Sequence, residues 1–497
     1  MKATISRLLP AALLLALAAP IPALAQADAR AAARLDALLE ERLRELARPL
    51  PGGIRLERAV DARVEPAGDR FRVTLPELRV VLPEGQLLEL GTLALEAAPT
   101  PNGGYAFTGA LPGTIPVFNR EGFREGEVRI ARQNFRGSWT GDLKTMDGLD
   151  LGLGGVVFTP REGKGTIRLE ALTAKAQPED YRNSRWTGPA TLTVSGLDVR
   201  GRDGSEQMAL GRGQLRLRID RLDVAKLAAW NQAAARLAAA DDGKEALSPA
   251  EQAALRQGLP HLEGLAGALG MQGEVQGLAS RAGDGTMRRV ESARWTLSLD
   301  GLDRPRSALS LDYQHSGLAL TGPQVRRDVA PRTGSLVLKA SGVPAAELLA
   351  AYRERVADTA TVGDREAGRR FEAVALETLG RAGTSLTLDR LAFDGAEAAA
   401  QGAGALRFSL EAARGLTGGL DFTLRGFQAL VQQAQAGNAK AAGTVVGLYA
   451  LEGLGQPGTD AQGRPQRRYK VEVAEDGRIL LNGSDVTSLV SGLLSLR

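Results

Sequence analysis

The sequence predicts an α+β fold in which a long, curved antiparallel β-sheet meander carries inserted helical hairpins, built as strand-helix-helix-strand units. Three observations predict it. From Ile54 to Val224, apolar residues alternate with polar ones at a period of two, the mark of strands with one buried face. Gly, Pro, Asn and Asp interrupt these runs at short intervals, and the 60 glycines among 497 residues read as turn punctuation. In the second half, three Gly-led strands each run straight into a segment of helical spacing.

The elements follow in order. Residues 1–25 read as a signal peptide: Lys2 and Arg7 form the positive start, Leu8 to Ala19 the apolar run, and Ala23-Leu24-Ala25 a small-residue site cut between Ala25 and Gln26. Pro10, Pro20 and Pro22 break the run and speak against a retained anchor. No later apolar stretch approaches the ~20 residues of a spanning helix, so no transmembrane segment is expected in the mature chain. With 0 cysteines, disulfides and thiolate chemistry are excluded, and an exported chain this long points to a Gram-negative periplasm.

Residues 26–53 hold an amphipathic helix. Leu35, Leu39, Leu43 and Leu46 fall on one face, and the segment stops near Pro49 and Pro51-Gly52-Gly53. Packing on the sheet is the expected role. Membrane-surface attachment is the alternative, weakened by Asp36, Glu40, Glu41 and Glu45 on the polar face.

Residues 54–212 form the meander. Phe71-Val73-Leu75, Leu78-Val80-Leu82, Leu88 with Leu90, Leu93 with Leu95, and Tyr105 with Phe107 alternate cleanly. The same pattern returns at Ile167-Leu169, Leu192-Val194 and Leu215-Leu217-Ile219. A sheet with one greasy face needs a cover of helices, a second layer or a ligand.

Residues 213–497 continue the sheet with three helical-hairpin insertions. Strands beginning at Gly213, Gly334 and Gly418 lead into helices at Leu222–Trp230, Val343–Tyr352 and Phe427–Gln435. Second helices follow, the first opened by a Ser248-Pro249-Ala250-Glu251 capping box, the others near Asp364–Leu379 and Val445–Leu451. The chain closes on strands Tyr469–Val473 and Ile479–Leu481 and a short helix carrying Val486, Leu489, Val490 and Leu493.

Chemistry is scarce. The net charge is only +4 and basic residues are interleaved with acidic ones, so no nucleic-acid partner is expected. The 2 histidines, His261 in a helical hairpin and His315 at a turn, lack a carboxylate at ligand spacing, so no metal is expected. No Gly-x-Ser-x-Gly motif occurs, and Gly152-Leu153-Gly154-Gly155 lacks the Lys-Ser/Thr of a phosphate loop and reads as a turn or bulge. A carboxylate pair for glycoside hydrolysis is the one enzymatic alternative. Against it, aromatics are only 4% of the chain, and Trp139, Trp186, Trp230 and Trp295 are scattered. Scarce aromatics also exclude an outer-membrane barrel, which needs aromatic girdles. No catalytic, cofactor or metal residues are assigned, and the ligand-binding residues are unknown.

The leader, the low-aromatic meander, the strand-helix-helix-strand units and the closing Tyr469-Lys470-Val471-Glu472-Val473 with Asp476-Gly477 to Leu481-Asn482-Gly483 resemble the YdgA-like proteobacterial periplasmic proteins and their alphaproteobacterial relatives of unknown function. More distantly the pattern resembles AsmA-like envelope proteins. The resemblance implies an apolar sheet groove that takes lipid, and carries no catalytic residues. The expected function is a non-enzymatic envelope protein whose partner is a lipid or another envelope protein. A structural docking protein is the alternative.

Overall fold

Leu, Val and Phe at every second position leave one face of a strand apolar, and short turns bring such strands together antiparallel. The computed structural model describes residues 28–46, 54–58, 61–83, 85–100, 104–139, 148–161, 165–182, 185–240, 248–322, 330–437 and 442–488. It is mostly antiparallel sheet, 54% strand against 25% helix, so helices are few. The leader with Ala25 and Gln26, and Leu489, Val490 and Leu493 of the closing helix, lie outside the described residues. The chain divides into two compact units, Met1–Leu269 and Gly270–Arg497, each described by itself.

The first unit opens on helix α1 (Ala29–Leu46). Twelve strands follow: β1 (Arg55–Arg58), β2 (Arg63–Ala67), β3 (Arg70–Val81), β4 (Leu87–Pro99), β5 (Tyr105–Gly109), β6 (Thr114–Phe118), β7 (Arg124–Trp139), β8 (Gly148–Pro160), β9 (Thr166–Ala176), β10 (Asp180–Arg182), β11 (Arg185–Arg200) and β12 (Glu206–Asp223). β1 and β2 are two pieces of one row along β3. β5 and β6 likewise share the row between β4 and β7. β9 and β10 share the row along β11. Each row pairs with the one before it, so the topology is a meander. Position 212/213, where the sequence pattern changes, falls inside β12.

The alternation slips phase within single strands, and the structure shows why. In β3 the buried residues move from Phe71, Val73 and Leu75 to Leu78 and Val80, across a bulge where Glu77 has φ +50°. Opposite it, Gly91 of β4 has φ +64°, and the buried set moves from Leu88 and Leu90 to Leu93 and Ala97. Gly155 in β8 and Gly196 in β11 also take left-handed backbone, φ +61° each, but there the register with both neighbouring strands runs on without a shift. Left-handed backbone is open to glycine at no steric cost, and the β3–β4 bulge returns the next apolar residue to the same face. Glycine in the meander was expected to punctuate turns, with Gly155 read as a turn or bulge; all three of these glycines are strand interior.

Helix α1 lies on the start of this sheet. Leu35, Leu39 and Leu43 are buried in one cluster with Phe71, Val73, Leu78 and Leu93. Leu35 is 0% exposed, which commits the helix's apolar face to the sheet and removes it from any membrane surface. After β12 come helices α2 (Val224–Ala240) and α3 (Pro249–Gly258). The capping box forms as read: the Glu251 N–H donates to Ser248 Oγ at 3.3 Å and the Ser248 N–H to Glu251 Oε2 at 2.6 Å.

The second unit is a meander of β13 (Ala268–Arg281), β14 (Met287–Asp300), β15 (Ser307–Ser316), β16 (Ala319–Thr321), β17 (Thr333–Val343), β18 (Ser385–Asp394), β19 (Ala399–Phe408), β20 (Leu416–Arg425), β21 (Gln456–Thr459), β22 (Pro465–Val473), β23 (Ile479–Leu481) and β24 (Ser484–Asp485). Helices α4 (Ala345–Val362) and α5 (Asp364–Ala382) fall between β17 and β18 in the chain. Helices α6 (Phe427–Gly437) and α7 (Ala442–Leu454) fall between β20 and β21. β17 nevertheless pairs directly with β18, and β20 with β22. The helices of each pair pack chiefly on one another, as where Tyr352 and Phe371 meet edge to face at 5.8 Å.

Candidate functional site

The register sorts the second unit's side chains into rows that cross the strands. One row reads Leu297, Leu311, Leu338, Leu388, Gly404, Leu420, Val471 and Leu481. Beside it runs Trp295, Tyr313, Leu336, Leu391, Gly402, Phe422 and Tyr469. Because the pleat alternates, both rows share one face. Polar residues such as Asp312, Lys339 and Glu472 take the other. Apart from buried Tyr469, the row side chains are only half-buried. Among the described residues, all three clusters of buried apolar side chains lie in the first unit.

The first unit's later strands carry the same pattern. Val156, Leu169, Leu197 and Leu210 form one row, and Phe158, Ile167, Val199 and Met208 the next. Leu197 and Val199 are buried there, while Leu169, Leu210 and Met208 remain partly covered.

The histidines do not meet in a site. His315 lies inside β15 rather than at a turn, 8% exposed, its Nε2 3.1 Å from the Pro331 carbonyl and its ring beside Tyr313 and Phe393. His261 sits half-buried in the 3-10 turn Leu259–Leu262. Among the described residues, no group of three His, Cys, Asp or Glu is placed to hold a metal ion. Trp186 is buried with Val224, and Trp295 lies over Gly273, so neither is an exposed platform for a sugar. The side chain of Trp139 lies outside the described residues.

One cluster escaped the sequence reading. On the face of β3 and β4 opposite the core, a cleft of about 590 Å³ opens between the β3–β4 turn and the β6–β7 turn. Val81, Leu87 and Phe118 contribute apolar surface to it, and Arg55, Arg79, Arg120, Glu57 and Glu89 the charge. Arg55 Nε pairs with Glu57 Oε1 at 2.9 Å, and Arg79 Nη2 reaches Glu89 Oε1 at 3.5 Å. Strand register, not local spacing, assembles it: Arg55, Val81, Leu87 and Phe118 occupy one cross-strand row on the outer face.

In comparisons with family models, curated proteins and solved structures, nothing matches this chain.

Proposed function

We propose that the chain is an exported, non-enzymatic envelope protein of the periplasm that holds a lipid or another apolar ligand along the apolar face of its sheet. In this reading the helix pairs are hairpin insertions in a curved meander, as in the YdgA-like and AsmA-like proteins the sequence resembles. One observation carries it: the second unit's rows of Leu, Val and aromatic side chains run across successive strands, broken only at Gly402 and Gly404, and apart from buried Tyr469 they stay half-buried. Covering such a face with acyl chain gains about 25 cal/mol per Å² of apolar area removed from water.

The test is native purification without detergent, followed by extraction and mass spectrometry of copurifying lipid. Stoichiometric lipid that is lost in Leu338→Asp, with the far-ultraviolet circular dichroism unchanged, is the expected result. A clean protein with no lipid would count against the reading. A second reading, docking of another envelope protein, is favoured by apolar residues exposed on the helices, Val446 at 67% and Tyr449 at 56%. In-cell crosslinking from position 446 that captures a stoichiometric protein partner, with no lipid, would select it.

A further inference from the structure

The cleft on the outer face of β3 and β4 is unlike the rest of the polar surface, because its positive charge is not fully spent. Three guanidinium groups line it against two carboxylates. Arg55 and Arg79 each have a glutamate, whereas Arg120 has no carboxylate partner among the described residues. The Arg79 Nε–H is buried and donates to nothing. A buried donor without an acceptor is destabilising, and a ligand oxygen that reaches it removes that cost. The Asn119–Phe123 turn is fixed by Asn119 Oδ1, which accepts from the N–H groups of Glu121 at 3.1 Å and Phe123 at 2.9 Å. Arg120 lies across Gly85, where a Cβ would stand 2.7 Å from its Nε, so the opposing turn leaves room for it. Planar guanidinium forks match a tetrahedral oxyanion in geometry and charge. Val81, Leu82, Pro83, Leu87 and Phe118 supply apolar lining beside these charges, and Phe123 on the same turn as Arg120 is 71% exposed. At about 590 Å³ the cleft is within the size of small-molecule sites, ~300–1,000 Å³.

We propose that this cleft binds an amphiphile whose phosphate head is held by Arg55, Arg79 and Arg120 and whose apolar stem lies on Leu87 and Phe118. The site faces away from the buried side of β3 and β4, so it does not rest on the lipid reading of the sheet's apolar face. Titration calorimetry on the full chain with hexyl phosphate, inorganic phosphate and hexanol tests it. Saturable binding of hexyl phosphate is expected, at least tenfold tighter than that of inorganic phosphate, with no binding of hexanol. Arg120→Gln, an exposed turn substitution, should weaken hexyl phosphate at least tenfold with an unchanged melting temperature, and Phe118→Ser should remove the preference over inorganic phosphate. Hexyl phosphate bound equally by Arg120→Gln, equal affinity for inorganic phosphate, or no binding at all would overturn the proposal.

Discussion

Truncating Leu35 to alanine probes whether helix α1 is a structural cover of the sheet. The side chain is 0% exposed and belongs to the cluster that holds Leu39, Phe71, Val73 and Leu93. Removing its isopropyl group forfeits about three buried carbon groups, roughly 2.4 kcal/mol at ~0.8 kcal/mol each. The cavity left between helix and sheet adds more, for a total of about 3–4 kcal/mol. Leu38 packs against the same cluster but is only partly buried, and its truncation should cost about 1 kcal/mol. Urea unfolding read by tryptophan fluorescence separates the two. Trp295 is the one tryptophan of the second unit, so in a Trp295→Phe background the indole signal comes from the first unit alone. The midpoint should fall for Leu35→Ala with an unchanged slope. Equal costs at the two positions, or less than about 1 kcal/mol at Leu35, would refute the packing argument.

Burial, then the charges of Glu40 and Asp61, raise the Asp36 carboxyl above its ordinary 3.8, and its Oδ1 is buried with no partner. The folded protein therefore holds this proton more tightly than the unfolded chain, and the destabilisation is absent below 3.8 and complete above the raised folded value. Asp36→Asn should stabilise at pH 7 by on the order of 1 kcal/mol and change nothing at pH 3, measured by thermal melting; destabilisation at pH 7 would contradict it. A Cβ at Gly273 would stand 2.3 Å from the Trp295 indole, so Gly273→Ala should cost about 1–3 kcal/mol and shift the Trp295 emission, and a neutral melt would show that the ring swings aside freely. Tyr469 donates its hydroxyl to the Leu451 carbonyl at 2.7 Å, and burial pushes its ionisation up to about 12. The unfolded chain ionises near the ordinary 10.0, so this contribution to stability persists below 10 and is lost as the pH rises from 10 to 12. Tyr469→Phe should cost about 1 kcal/mol at pH 8 and flatten that alkaline slope.

How much of this was legible in the residues depends on the range of the interaction. Period-two alternation found the strands because the pleat enforces it locally, and Leu78, Val80, Leu88 and Leu90 are buried as that period requires. The Ser248 capping box was legible because it closes over four residues. Glycine was misread where its role is non-local. Gly91 and Gly196 look like turn residues, yet both lie inside strands, Gly91 at a bulge and Gly196 where the register runs on unbroken, and their roles depend on the neighbouring strand. Gly196 is opposed by Glu170, whose Cβ would be 2.6 Å from an added methyl. The phase slip between Leu75 and Leu78 was in the sequence all along, and a continuous strand with a bulge explains it without a break. The arginine cleft was invisible because Arg55, Arg79 and Arg120 come together through strand register, which no local spacing reports.

The same apolar pattern meets two fates in this chain, and the contrast is what the proposed ligand face rests on. In the first unit, α1 is amphipathic, with leucine on one side and Asp36 and Arg34 among the residues on the other, and the face beneath it becomes a core with Phe71 and Val73 at 0% exposed. In the second unit the helices divide their contacts differently. α4 and α5 pack on each other, and α7 keeps Val446 and Tyr449 in solvent. A helix meant to seal the sheet would turn those side chains inward, since leaving large apolar groups in water forgoes roughly 1.5–3 kcal/mol apiece. The row from Leu297 to Leu481 therefore repeats the core pattern without becoming a core. If an apolar ligand occupies that half-buried row as proposed, Leu338, in its middle, is where a charge should do most damage.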